Sequence, residues 1–323
     1  MGTCKVPFLM YDSHMKNLHL SHPEDSVLLG KKAVQDTIKY LRNCKGSCTV
    51  KYDGAPAIVF GINPENGKFF VGTKSVFNKV KVKINYTHSD IEKNHSNNPK
   101  VAAILHTCLA EFPKEIKGIY QCDFIGYGGE VCFTPNTLTY DFSAVEGVSE
   151  SSIVAVCHTF YSGTKIKELE ASFVDYAHGG IFDSNSSVYF VDCNAQFTTR
   201  RRRVDYILGL ASVVSNFVKY PETKKEIEAL KIAVNKCIRE GRPVSDVLSG
   251  NLLLLFNLLT HAKMLIVEEI VVTGDDVRAT IELGVDYINS GHEGYVHSND
   301  YGAFKLVNRR IFSHYNFTMP KGW

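Results

Sequence analysis

The string Thr49-Val50-Lys51-Tyr52-Asp53-Gly54-Ala55-Pro56 sets a lysine at the end of a β-rich run, a carboxylate two residues on, and a glycine directly after. A lysine so placed can act as a nucleophile. Desolvation and neighbouring cations lower its pKa and free the amine to attack an electrophilic phosphorus. The glycine lets backbone approach a ligand closely. Taken alone, Lys-x-Asp-Gly fits equally a strand end that carries a surface lysine into a turn. Two basic patterns add to it. Lys79, Lys81 and Lys83 alternate, which on a strand gives three ammonium groups on one face, suited to a nucleic-acid backbone or to a solvated edge. Arg200, Arg201, Arg202 and Arg203 begin a helical segment, where they hold phosphates or simply face water.

Further strings follow Lys51 in a fixed order: Phe69-Phe70-Val71-Gly72-Thr73-Lys74-Ser75, Ile119-Tyr120-Gln121-Cys122-Asp123-Phe124-Ile125, Val154-Ala155-Val156-Cys157-His158-Thr159-Phe160-Tyr161, Glu293-Gly294-Tyr295-Val296 and Phe304-Lys305-Leu306-Val307. Together they resemble the covalent nucleotidyltransferase superfamily of ATP-dependent DNA ligases, RNA ligases and messenger-RNA capping enzymes. The resemblance spans about residues 45–163 and 290–310. It implies that Lys51 takes AMP or GMP as a phosphoramidate and that Lys305 contacts the α-phosphate. It further implies a nucleotide site of Asp53, Gly54, Lys74, Asp123, Phe160 and Glu293. Lys74 would lie near phosphates or ribose, and Asp123, where glutamate is commoner, on the sugar. Phe160, or Tyr161 beside it, would stack on the base. Glu293, with Asp53, would hold Mg2+ or Mn2+.

A second Glu-Gly string, Glu146-Gly147-Val148, precedes the stacking strand and so is out of order; Glu293 is preferred. One departure stands out. The last element usually reads Lys-x-Lys, and Val307 replaces its second lysine, so Arg309 or Arg310 is expected to supply the charge unless one chemical step is impaired.

The function implied is an ATP-dependent RNA (polynucleotide) ligase. Lysyl-AMP would pass its nucleotide to a 5′-phosphate end, which is then sealed with a 3′-hydroxyl. ATP and Mg2+ or Mn2+ are the implied cofactors, and nucleic acid, RNA ahead of DNA, the implied partner. Only 18 residues follow Lys305, too few for the oligonucleotide-binding barrel of DNA ligases and capping enzymes. Barrel-lacking relatives of this kind occur among tailed phages. The alternatives are a GTP-using capping-type guanylyltransferase and a pseudoenzyme that binds nucleotide or nucleic acid without turnover.

The elements that must position these residues are legible in outline. Apolar spacing predicts a helix over about 28–41, strands over 48–52, 57–62 and 68–73, a helix over 100–112, and strands over 118–125, 152–160 and 187–192. Near Arg200 the pattern turns helical: Val204, Ile207, Leu208, Ala211, Val214 and Val218 recur at helical spacing. The last forty residues are β-like again. The expected fold class is therefore α+β. A nucleotidyltransferase domain, with antiparallel sheets and no C-terminal barrel, would take residues 1–199 and 286–323, and a helical insertion residues 200–285.

Composition bounds the rest. Of the 323 residues, 44% are hydrophobic and 22% charged, which excludes global disorder. A net charge of +2 excludes a histone-like polycation, so any nucleic-acid contact is local. The apolar stretch from Asn251 to Val272 is broken by Asn257, His261, Lys263, Glu268 and Glu269 and is not expected to cross a bilayer. Nine scattered cysteines suit reduced thiols, and the start of the chain carries neither a secretory nor a myristoylation signal. A cytoplasmic protein, in the host cytoplasm if viral, is the expectation.

Overall fold

A computed structural model describes residues 20–174, 187–198, 201–280 and 292–318. A short 3-10 turn, Pro23–Leu28, leads into α1 (Lys31–Arg42), β1 (Ser47–Val50), β2 (Ala57–Ile62) and β3 (Phe69–Gly72). The Asn63 to Gly67 turn closes the β2–β3 hairpin, with Gly67 N donating to Asn63 O at 2.8 Å. Next come α2 (His88–His95) and α3 (Pro99–Glu111). The sequence marks both starts: Thr87 and Asp90 cap α2 reciprocally, and Asn98 caps α3 ahead of Pro99. β4 (Ile119–Tyr127), β5 (Cys132–Phe133), β6 (Thr139–Asp141), β7 (Ile153–Ser162), β8 (Glu170–Phe173), β9 (Val188–Phe190) and β10 (Ala195–Phe197) follow. Then come α4 (Arg202–Val214), α5 (Lys224–Arg239), α6 (Gly250–Val267), β11 (Ile270–Val272), β12 (Arg278–Thr280), β13 (Gly294–Asn299), β14 (Gly302–Val307) and α7 (Arg309–Thr318).

The class is α+β, with mainly antiparallel sheets. A six-stranded sheet runs β3-β2-β4-β7-β8, with β9 parallel to β7, and a three-stranded sheet runs β1-β13-β14. The larger sheet buries Ile58, Phe60 and Tyr120 against Leu105, Cys108 and Phe112 of the α3 region. The smaller sheet packs its other face into a larger core with α1, α4 and α6. The stretch expected to be helical therefore shares its core with β13 and β14. α7 departs from the β-like expectation for the last forty residues: Ile311, Phe312 and Tyr315 fall at helical spacing after Asn308.

By length and composition alone α6 is apolar enough to cross a membrane, unlike the interrupted longer stretch read from the sequence. It ends before Glu268 and Glu269, and it carries Lys263, only 1% exposed, into the protein. Lys263 Nζ donates to Glu24 Oε1 at 2.7 Å. Arg309 donates to Asp25 Oδ1 at 2.6 Å and Asn235 Oδ1 at 2.5 Å, and lies 3.5 Å from Glu24. Burial pushes the Glu24 carboxyl up, but Lys263 and Arg309 outweigh it and hold its pKa below the usual value. That stabilisation is present above the ordinary carboxylate pKa and is lost as pH falls through the depressed folded value. Removing one partner leaves a buried charge, so Lys263→Ala is expected to cost about 3–5 kcal/mol. Urea unfolding curves check this; a cost under about 1 kcal/mol would show that the cluster is not a buried ion pair.

Candidate active site

A cavity of about 330 Å³ is lined by residues of both sheets. From the smaller sheet come Thr49, Val296 and Lys305, aligned across β1, β13 and β14 and so on one face. Their neighbours Cys48, His297 and Phe304 turn the other way and are buried. Lys51 and Asp53 follow β1 into the cavity, where Lys74, Gln121, Asp123, His158, Tyr161 and Phe173 of the larger sheet and its connections also lie.

Lys51 N donates to Gly294 O at 2.8 Å, tying the loop after β1 to the start of β13. That brings Lys51 Nζ and Glu293 Oε2 into a direct ion pair. Gly294 is required here: its φ is +143°, and a Cβ would sit 2.4 Å from Leu306 O. Burial pulls the Lys51 pKa down, but Glu293 and Asp53, and more weakly Asp123, outweigh burial and raise it. The free protein thus holds an ammonium at Lys51, not the amine of lowered pKa expected from the sequence. Lys305 behaves oppositely. Burial, then the charge of Lys51, lowers its pKa, and its Nζ has no hydrogen-bond partner among the described residues. Glu293 and Asp25 act on it only weakly against burial, and an ammonium so placed, with no direct ion pair among the described residues, suits an arriving anion.

Asp53 is fixed from two sides. Its N–H donates to Tyr140 Oη at 2.7 Å, and its Oδ2 accepts from Asn136 Nδ2 at 2.7 Å. Asn136 Oδ1 is buried and has no hydrogen-bond donor among the described residues. Gly54 serves the fold: a Cβ there would lie 2.4 Å from Phe124 O, so the close approach it permits is to β4 and not to a ligand. Across the cavity Tyr161 Oη donates to Gln121 Oε1 at 2.9 Å, and His158 Nε2 lies 3.3 Å from Gln121 Nε2 and 3.4 Å from Asp123 Oδ1.

Residues 17–250 and 247–321 match the family of unknown function DUF6267. The chain belongs to this family. No curated protein and no solved structure matches it.

In this DUF6267 chain several residues expected at the site lie elsewhere. Phe160 is on the opposite face of β7, its ring 5.1 Å from that of Tyr120 and against Gly118. Tyr52, Tyr161 and Phe173 line the cavity instead. Arg309 is engaged by Asp25 and Asn235, and Arg310 borders a second cavity of about 290 Å³ behind α7. Neither supplies charge in place of Val307, which is 2% exposed and packed in the core. Glu146 is exposed, whereas Glu293 is 6% exposed on Lys51.

The basic patterns also change meaning. Lys79 and Lys81 are exposed but sit in an irregular loop after Phe77, so no strand aligns them with Lys83, whose Nζ donates to Asn94 O. Arg201 Nη1 donates to Leu41 O at 3.1 Å and its guanidinium covers the Phe197 ring, tying α4 to α1 and β10. Arg202 and Arg203 are exposed, and Arg200 lies outside the described residues.

Sequence reasoning missed Asn136, Tyr140 and His158. Tyr140 was visible only as one apolar position near Leu138 and Phe142, and Asn136 meets Asp53 from 83 residues away. Among the described residues no three His, Cys, Asp or Glu side chains cluster as a metal site. Asp53 and Glu293, the two carboxylates that raise the Lys51 pKa most, are the residues that could hold a magnesium-type ion, which takes one or two carboxylates and fills its other positions with water and phosphate oxygens. The orphaned Asn136 oxygen beside Asp53 agrees with this.

Proposed function

We propose that the chain is an ATP-dependent RNA ligase of nucleotidyltransferase fold, acting through lysyl-AMP at Lys51. One observation carries the reading. Lys51, Asp53, Lys74, Asp123 and Lys305, drawn from four separate strands and their ends, line one cavity, and Glu293 pairs with Lys51. Composition alone gives no reason for these positions to meet.

The chemistry follows from the groups present. Once deprotonated, Lys51 Nζ attacks the α-phosphorus of ATP; an N–P bond forms as the P–O bond to pyrophosphate breaks. Lys305 and Lys74 face phosphate oxygens and offset the charge that gathers on them. Asp123 and His158 offer acceptors to sugar hydroxyls, while Tyr161 and Phe173 wall the base. A divalent cation at Asp53 and Glu293 supplies further charge neutralisation. A 5′-phosphate oxygen of the acceptor strand then attacks the same phosphorus, and the amine of Lys51 leaves. A 3′-hydroxyl finally attacks the activated 5′-phosphorus, and AMP leaves.

Intact-mass measurement with ATP, GTP and each divalent ion tests the reading. One AMP per chain supports it; a GMP adduct in its place would make the chain a capping-type enzyme. A second reading, nucleotide binding without transfer, is favoured by Val307 in the core and by the Lys51 ammonium held on Glu293; ATP binding without any adduct would establish it.

In the proposed division, residues 1–199 and 286–323 form the adenylylating domain and the 200–285 block serves the acceptor strand. Arg202 and Arg203 are then the exposed phosphate contacts at the start of α4. Replacing both with alanine is expected to weaken RNA binding and lower its salt slope by roughly 0.7 per lost contact, with adduct formation unchanged. Filter binding over a salt series reads this; unchanged affinity and slope would place the strand elsewhere.

A further inference from the structure

We infer that Asn136 and Asp53 form one end of a divalent-cation site, with Asn136 giving a neutral amide oxygen and Asp53 a carboxylate oxygen. The inference deepens the ligase reading and rests on it for the identity of the remaining ligands, the phosphate oxygens of a bound nucleotide. It starts from a single unexplained atom. Asn136 sits in the connection between β5 and β6, which reaches over the loop after β1. Its amide orientation is set by Asp53. Reversed, it would place two oxygens 2.7 Å apart, so the N–H end faces the carboxylate. The amide oxygen is therefore left free beside the carboxylate, buried and, among the described residues, without a donor.

Buried acceptors are nearly always satisfied, and one left open beside a fixed carboxylate calls for a group that binds oxygen. The occupant must carry positive charge or several donors. Among the described residues no side chain donates to this oxygen, and the Lys51 ammonium makes its hydrogen bond to Glu293. Amide carbonyl and carboxylate oxygens are hard ligands, suited to Mg2+, Mn2+ or Ca2+ and not to thiolate- or imidazole-seeking ions. Tyr140 strengthens the placement. Its hydroxyl, on β6, accepts the Asp53 N–H, so the β5–β6 segment holds Asp53 at two points, through Tyr140 and through Asn136.

Two substitutions separate an oxygen ligand from a mere hydrogen-bond donor. Asn136→Ala removes both functions, whereas Asn136→Asp keeps an oxygen, adds a charge and loses the N–H. Mn2+ binding to the full chain, followed by electron paramagnetic resonance with and without α,β-methylene-ATP, gives a readout independent of turnover. Asn136→Ala is expected to weaken Mn2+ binding about tenfold. Asn136→Asp is expected to bind Mn2+ at least as tightly as wild type, and to lose thermal stability without the ion and regain it with the ion. Asn136→Ser takes the place of an alanine variant that fails to fold. Mn2+ binding unchanged in Asn136→Ala, or as weak in Asn136→Asp as in Asn136→Ala, would overturn the site and leave Asn136 a donor to Asp53 only. The two ideas fail separately: an Asn136-dependent Mn2+ site without lysyl-AMP sinks the ligase reading alone, and lysyl-AMP with Mn2+ binding indifferent to Asn136 sinks the site alone.

Discussion

Mixed with ATP and Mg2+ or Mn2+, the wild-type chain is expected to gain one AMP on Lys51, and Lys51→Ala to gain none. The effect should be complete, because no other described lysine combines the end of β1 with the cavity and a paired carboxylate. Of the other lysines lining the cavity, Lys305 is half-buried and projects from mid-strand, and Lys74 is exposed. The pH dependence has a definite sign. Lys51 must lose a proton before it attacks, and Glu293 and Asp53 raise its pKa above the ordinary lysine value despite burial. Adduct formation should therefore climb with pH across the neutral and mildly alkaline range, since the amine fraction rises about tenfold per unit below the pKa. By the same shift, the Lys51 ammonium contributes stability that is present below the ordinary lysine pKa and is lost as pH rises through the raised folded value. Rapid-quench measurement of adduct formation between about pH 6 and 9 reads the trend. A rate that falls with pH, or an adduct that persists in Lys51→Ala, would place the nucleophile elsewhere.

What the sequence revealed and what it hid have separate physical causes. β2 was legible to the residue and α3 to within one, because β2 is a short unbroken apolar run ended by a turn and α3 an apolar run of helical length opened by a cap. The meeting of Lys51 and Glu293, 242 positions apart, came from ordered resemblance and not from local pattern. The choice between Phe160 and Tyr161 failed for a structural reason. β7 pairs Thr159 with Gln121 and Cys157 with Cys122, so His158 is an extra residue and alternation breaks there. A strict period of two cannot say which ring faces the cavity beyond such a bulge. Lys79 and Lys81 misled similarly, since alternation of charge implies a shared face only where the backbone is extended. Asn136 gave no signal at all, because its partner lies on the loop after β1 and nothing near it in sequence marks the contact.

Loss of Glu293 or Lys305 should slow adduct formation by roughly 10²–10³ each, while loss of Glu146 should leave it unchanged. For Lys305 the reasoning is electrostatic. Its ammonium is half-buried, free of hydrogen bonds among the described residues and aligned with Thr49 and Val296 on the cavity face, so removing it deletes charge aimed at phosphate oxygens. Lys305→Ala is thus expected to bind ATP more weakly and react more slowly. Glu293 acts from the other side of Lys51. Its alanine variant frees the ammonium from its strongest partner and lets burial draw the pKa down, which alone would favour attack. A slower reaction in Glu293→Ala therefore means that the carboxylate does more than hold the lysine, and points to cation binding or to orientation of Nζ. The control is sharp because Glu146-Gly147 and Glu293-Gly294 share a motif and differ in place. Glu146 is exposed outside the cavity, where substitutions usually stay within about 0.5 kcal/mol. Single-turnover adenylylation of the three variants, each checked for folding, settles the assignment. If Glu146→Ala abolishes the adduct and Glu293→Ala does not, the Glu-Gly element has been assigned to the wrong place in the chain.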